Sequence, residues 1–447
     1  TLPPTLAHRF ATKLKLINAY GPTEATVCST MSPPLDQWLA YLLSIHPTEI
    51  DMGLTRVSKV AERLNVLDLG PSQIVTVAGT NGKGTTCAML ENILRLSGLT
   101  VGVYSSPHML KYNERVRING QDASDDAFVA AFEQIEAARG EISLTFFEYA
   151  TLAGLILFKA AKLDVVILEV GLGGRLDATN MIDADISVVT SVDLDHEAYL
   201  GNTRELVGRE KAGIFRQGKP AIVGEPNLPH TVNDVAQQLG AKLYRVGNEF
   251  SYQQNGNTWD YQGQVLKLTQ LSLPSLPLPN AATVIAIVEQ GWPHIAADII
   301  AKGISSARLT GRLEQVNEQP LILLDVAHNP HAARFLVKQL TPIVAGKRVF
   351  ALCGMLKDKD IGGVLPVVSP LIDTWYLVSL QGERGANASL LRQTLAQDTK
   401  ALEFEDIATA WTALKAQIQP DDVVIVFGSF YTVAGFKSLF KQDNRFV

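Results

Sequence analysis

At 447 residues the chain is long enough for two or three domains with ample cores. Hydrophobic residues make up 47 % and charged residues 19 %, an ordinary globular balance. The formal net charge of −6 argues against wholesale nucleic-acid binding, which needs a basic face, and leaves room for small anionic substrates held by local cations. Cys28, Cys87 and Cys353 are too scattered for a disulfide framework or a metal-ligand spacing, and they suit a reducing compartment. No apolar run reaches the roughly 18–20 uncharged residues of a spanning helix; the best, 152–170, is broken by Lys159, Lys162 and Asp164. Residues 1–15 lack the apolar stretch of a secretory signal. The expectation is a cytoplasmic protein with neither membrane nor nucleic-acid partners.

In chain order, residues 18–27 read NAYGPTEATV, which resembles a core motif of adenylating enzymes, including Tyr20, Gly21, Thr23 and Glu24. Such a motif works only inside a complete adenylation domain, several times longer than this block, and no second adenylation motif follows. Residues 1–31 are therefore expected to be an extraneous, poorly ordered extension. A helix is expected over 32–43 (SPPLDQWLAYLL), with Ser32 as cap, two prolines in the first turn, and Leu35, Trp38, Leu39 and Leu42 on one face. From residue 74 the pattern becomes strand (74–78, IVTVA), glycine loop, helix (85–96) and strand (101–104). Further strands are expected at 165–170 and 186–191, which together imply a parallel sheet covered on both faces. Residues 273–280 (LPSLPLPN) are expected to run as an extended connection. After a boundary near 309–312 the alternation restarts with strands at 321–327, 348–354, 374–380 and 423–429, a second and smaller α/β unit.

Chemistry concentrates at four places, each at a strand end. GTNGKGTT (79–86) lies between strand and helix, where backbone N–H groups, Lys83 and the helix dipole can receive a phosphate. It is a shortened version of the usual spacing, and a simple glycine turn is the plain alternative. In LEVGLGGRLDATN (168–180) Glu169 ends an apolar strand, either as a Mg²⁺ ligand or as an exposed edge acid. His196 follows the next strand, a metal candidate beside Glu169 or a structural histidine. Lys211 lies in REKAGI, where a surface lysine is the default. DVAHNPHA (325–332) clusters Asp325, His328 and Asn329, either as an Asx turn or as a wall facing the first loop across a cleft.

These motifs, in this order and with YSSPHML (104–110) and TFFEYAT (145–151), resemble bacterial dihydrofolate synthase/folylpolyglutamate synthase, a branch of the Mur-ligase-like ATP-dependent amide ligases. The resemblance covers about residue 32 to the C-terminus. It implies an α/β architecture: a P-loop-containing parallel-sheet domain for ATP and pterin (32–309), then a smaller Rossmann-like C-terminal glutamate-ligase domain (310–447). Carried onto this chain, it implies ATP binding by Thr80, Asn81, Gly82, Lys83, Gly84, Thr85, Asn280, Arg312 and Asp325. It implies metal ligation by Ser106, Glu169, His196 and a carbamylated Lys211, with Lys83, His196 and Lys211 as the catalytic set. It places the acceptor and glutamate at Thr145, Phe146, Phe147, Glu148, Leu176, Asp177, Ala178, His328 and Ser429. Two Mg²⁺ ions, ATP as cosubstrate, K⁺ as an optional cofactor and a monomeric state complete the expectation. One departure is Glu197-Ala198-Tyr199 after His196, where relatives often carry Thr or Met.

Three rivals stand beside this reading: a Mur-type cell-wall amino-acid ligase, a P-loop kinase or nucleotide-binding module, and the adenylating enzyme suggested by residues 18–27.

Overall fold

The computed structural model describes residues 34–46, 48 and 50–442. The expected extension 1–31, and Ser32 with it, lie outside them. The first described helix, Leu35–Leu42, follows Pro34 and buries Leu35, Trp38 and Leu42, three of the four apolar positions that its spacing aligns.

The larger sheet has eight strands in the order β4-β3-β2-β5-β1-β6-β7-β8. They are β1 Gln73–Ala78, β2 Val101–Tyr104, β3 Val116–Ile118, β4 Gln121–Asp122, β5 Val165–Glu169, β6 Ile186–Val189, β7 Pro220–Val223 and β8 Lys242–Arg245. The run from β2 to β8 is parallel, as the alternation predicts. The sheet is mixed, however, because β3 and β4 add an antiparallel edge beside β2. One face packs on a core that includes Trp38, Phe128, Phe132 and Tyr149. The other packs on the helices Lys83–Leu96, Leu278–Gly291 and Ala297–Ser306 through Met89, Ile93, Ile285 and Ile304.

Three local expectations change. The helix after β1 begins at Lys83, two residues early, because Gly82 takes the left-handed conformation (φ +86°) and ends the loop abruptly. Residues 273–280 are not extended throughout. Pro277 precedes the helix Leu278–Gly291 and Pro279 sits in its first turn, where a missing N–H costs no helical bond. Residues 251–272 form an unforeseen antiparallel sheet of β9 Ser251–Asn255, β10 Thr258–Gln262 and β11 Lys267–Ser272.

The second large sheet runs β12-β13-β17-β14-β15-β16, with β12 antiparallel and the rest parallel. Its strands are β12 Glu314–Asn317, β13 Leu321–Leu324, β14 Val349–Cys353, β15 Thr374–Val378, β16 Ala401–Phe404 and β17 Val423–Phe427. The central β13, β17 and β14 sit side by side, so the loops after 324, 353 and 427 emerge at one edge. In a parallel sheet that carboxyl edge is where ligand crevices form. Among the described residues no helix is long and apolar enough to cross a membrane.

Candidate active site

The glycine loop leaves the centre of the larger sheet. β1 lies between β5 and β6, so Glu169 at the end of β5 stands on one side of the loop and Thr190–His196, after β6, on the other. The loop is pinned from the β6 side. Thr80 N donates to Ser191 O (3.0 Å), Asn81 N to Ser191 Oγ (2.9 Å), and Thr80 Oγ1 to Asp193 O (2.9 Å). Lys83 Nζ folds back on Gly79 O at 2.9 Å. Asn280 does not face the cleft; its amide donates to Gly82 O (3.1 Å) and to Thr85 Oγ1, bracing the loop from behind. A Cβ on Gly82 would lie 2.4 Å from Asn280 Nδ2 at a φ that L-residues resist. Gly82→Ala is therefore expected to cost about 1–2 kcal/mol of stability and to raise the KM for ATP, checked by thermal unfolding and steady-state kinetics.

Glu169 is 5 % exposed, which excludes the exposed-edge reading. Its Oε2 accepts only a long bond, 3.3 Å, from Ser106 N. Burial raises its pKa, and Lys83 opposes this. His196 takes a left-handed conformation (φ +50°) ahead of the short helix Glu197–Leu200. Burial lowers its pKa despite neighbouring Asp195, so the ring is neutral and able to ligate. Lys211, expected by default at the surface, is 4 % exposed. Burial, and then the charge of Lys83, bring its amine down to about 7. Glu169, Ser106, His196 and Lys211 line one cleft with residues 79–85. Among the described residues no three His, Cys, Asp or Glu side chains gather tightly enough to hold a metal. A divalent ion here would take oxygen donors from Glu169 and Ser106 and the imidazole nitrogen of neutral His196, with Lys211 completing the set only as a carbamate.

Arg312, Asp325 and His328 close the cleft from the second sheet. Arg312 stacks over Phe430 at 5.4 Å. Asp325 accepts from Leu313 N (2.9 Å) and Ala327 N (2.8 Å), so its carboxylate also shapes its own turn. His328 is brought down to about 4 by burial, then by Lys359. Its Nδ1 lies 2.7 Å from Val326 O, which can only accept, so Nδ1 carries the proton and Nε2 is an acceptor.

Asn81 and Asn329 exchange amide hydrogen bonds across the cleft at 3.2 and 3.0 Å, as the reading of residues 325–332 as a wall facing the glycine loop anticipates. A second contact escapes sequence reasoning: Lys359, on the loop after β14, reaches Asp195 at 3.0 Å. Burial works against the Asp195 carboxylate, yet His196 and Lys359 hold it near about 2.

A second, more apolar cavity of about 470 Å³ opens beside the first and shares Ser106, Gly171, Leu172, His196, His328 and Phe430 with it. Thr145, Phe146, Phe147, Glu148, Leu176, Asp177, Ala178 and Ser429 all line it. Several of their polar groups are already committed. Thr145 and Glu148 form the capping box of the helix Phe146–Ala161, Asp177 accepts from Gly171, Leu172 and Thr179 N, and Ser429 caps Phe430–Phe440. The sequence reading misses residues 50–53, Arg115, Lys359 and Arg384 on the same wall, which no motif marks, and gives no role to His108 although it lies in YSSPHML.

Comparison with known proteins places the chain in a family. The Mur ligase middle domain matches residues 77–274, and the Mur ligase glutamate ligase domain matches 311–430. Dihydrofolate synthase/folylpolyglutamate synthase of Escherichia coli K12 is 52 % identical over 401 residues, 90 % of this chain and 94 % of that protein. The chain belongs to the dihydrofolate synthase/folylpolyglutamate synthase family. E. coli FolC in complex with DHPP and ADP superposes on it with a TM-score of 0.89 at 51 % identity, covering 92 % of this chain and 98 % of that one. A bifunctional synthase of this family with Mn, AMPPNP and L-glutamate bound gives 0.86 at 52 %, with 92 % and 98 % covered. Membership in this family disfavours the cell-wall rival and carries the Mur ligase fold with it.

Proposed function

We infer that this protein is an ATP-dependent amide ligase. It adds L-glutamate to dihydropteroate and then extends reduced folates, releasing ADP and phosphate. The observation that carries the reading is that the phosphate-loop cleft and the aromatic cavity open into one another. A pteroate lying on Phe146 and Phe147 would present its carboxylate to an ATP γ-phosphoryl group held by residues 79–85.

A carboxylate is a poor electrophile, so the γ-phosphoryl group is first transferred to it. The acyl phosphate that results has phosphate as its leaving group. The glutamate amine attacks the acyl carbon, and the tetrahedral intermediate collapses to the amide. Phosphoryl transfer of this kind asks for positioning and charge stabilisation rather than a covalent enzyme nucleophile. Lys83 would neutralise phosphate charge, Arg312 and Asp325 would hold the nucleotide, and neutral His328 would orient the amine through Nε2. Divalent metal, two Mg²⁺ ions with K⁺ optional, would screen the phosphates when bound at Ser106, Glu169, His196 and carbamylated Lys211. On this reading residues 32–309 hold ATP and pterin, and 310–447 bring glutamate and exclude water during the acyl-phosphate step. The enzyme works as a monomer with small-molecule substrates only.

Purified protein with MgATP, dihydropteroate and glutamate is expected to release ADP. AMP and pyrophosphate would mark an adenylating enzyme. ADP release dependent on a UDP-linked sugar peptide would mark the cell-wall branch, and ATP binding without glutamate-dependent turnover would mark a nucleotide-binding module.

A further inference from the structure

The wall of the aromatic cavity carries a cation that the chemistry above does not use. Arg115 ends the turn Tyr112–Arg115 and is 8 % exposed. Its guanidinium carbon lies 5.4 Å from the ring centroids of both Tyr112 and Phe146, and its Nε donates to His108 Nδ1 at 2.9 Å. Among the described residues no carboxylate lies within ion-pairing distance of it. The other full cations on this wall are engaged: Lys359 with Asp195 at 3.0 Å and Arg384 with Asp358 at 2.9 Å. His108, held near about 4 by burial and by Arg115 itself, supplies no charge of either sign. The Tyr104 hydroxyl also meets the guanidinium, and the Glu169 carboxylate acts on it only from beyond pairing distance; a buried cation with no carboxylate paired to it is costly unless a ligand brings the counter-charge.

The two acceptors differ in the charge they bring. Dihydropteroate has one carboxylate, the reacting one, which must meet the γ-phosphoryl group. A folate reacts at its γ-carboxylate and also carries an α-carboxylate, which is left against the cavity wall. An aromatic wall cannot receive that group unpaired. We propose that Arg115 binds the α-carboxylate of the folate acceptor, and so governs the second glutamate addition without being required for the first. The planar guanidinium, flanked by two rings, suits a carboxylate in a way that a lysine would not. This inference rests on the function proposed above.

The test compares three acceptors with wild type and Arg115→Gln: dihydropteroate, tetrahydrofolate monoglutamate, and its analogue with 4-aminobutyrate in place of glutamate, which lacks the α-carboxylate. In Arg115→Gln, kcat/KM is expected to fall at least about 30-fold with tetrahydrofolate and to stay within about 3-fold with dihydropteroate. Wild type should lose a similar factor on the 4-aminobutyrate analogue, while Arg115→Gln treats analogue and tetrahydrofolate alike. Equal losses with dihydropteroate and tetrahydrofolate, no loss with either, or a wild type indifferent to the α-carboxylate would overturn the proposal. If Arg115→Gln lacks a thermal transition, Arg115→Lys carries the comparison, with a smaller folate-selective loss expected. A wild type that turns over none of the acceptors overturns the ligase reading itself, an outcome distinct from failure of the Arg115 assignment.

Discussion

Lys211→Ala is expected to abolish turnover, lowering kcat by at least about 10²-fold, and short carboxylic acids such as acetate should restore part of it. The amine is buried and held near about 7, so a large share of it is neutral at neutral pH. A neutral amine is the form that attacks CO₂: nitrogen bonds to carbon, a proton leaves to water, and a carbamate anion remains. That anion offers oxygen donors where an ammonium would repel both the metal and Lys83. Because the unfolded chain binds the Lys211 proton more tightly than the fold does, the buried amine costs stability at neutral pH, so the alanine variant should keep its thermal transition. The added acid would fill the vacated space with a carboxylate. Activity near wild type in Lys211→Ala would sink the carbamate proposal.

Lys83→Met should have the other large effect, a fall in kcat/KM for ATP of roughly 10²–10³-fold with the fold intact. Lys83 Nζ bonds only Gly79 O within the loop (2.9 Å), so a phosphate can take over that donor without unpicking the core. Lys83→Arg should not rescue. The loop is closed in by Asn280 behind Gly82 and Thr190 behind Gly79, and a guanidinium fork does not fit where a compact ammonium does. A loss below about threefold would remove Lys83 from the phosphate site.

Where function depends on a short contiguous run, the sequence was legible. Strand, glycine loop and helix over 74–96 announce themselves through β-branched residues, glycines with Lys83, and a 3.6-residue period. Glu169 and His196 were readable as residues at strand ends, because neighbouring strands of a parallel sheet deliver their carboxyl ends to one crevice. The sheet β9–β11 was not readable. Its strands are mostly exposed, and Trp259 and Tyr261 are the large buried anchors of β10, so Gln and Asn dominate the pattern. LPLPN hid a helix start because proline suits both an extended run and a first turn. Thr145, Glu148 and Asp177 line the aromatic cavity, yet their polar atoms largely serve local backbone. Lys359 and Arg115 were invisible because their significance lies in what stands opposite, Asp195 for one and no carboxylate for the other, and spacing along the chain encodes neither.

If Asn81 contacts the nucleotide as proposed, its amide exchange with Asn329 would tie nucleotide affinity to the docking of the two sheets. One side-chain amide has two N–H groups, and in Asn81 both the Asn329 carbonyl oxygen and His331 Nδ1, at 3.0 Å, already draw on them. A phosphate that recruits Asn81 must take a donor from that clasp, at about 1 kcal/mol for each bond exchanged. By reciprocity, whatever tightens the clasp would then weaken the loop's hold on nucleotide by the same factor. On that reading one asparagine would link nucleotide exchange at one sheet to the posture of the other.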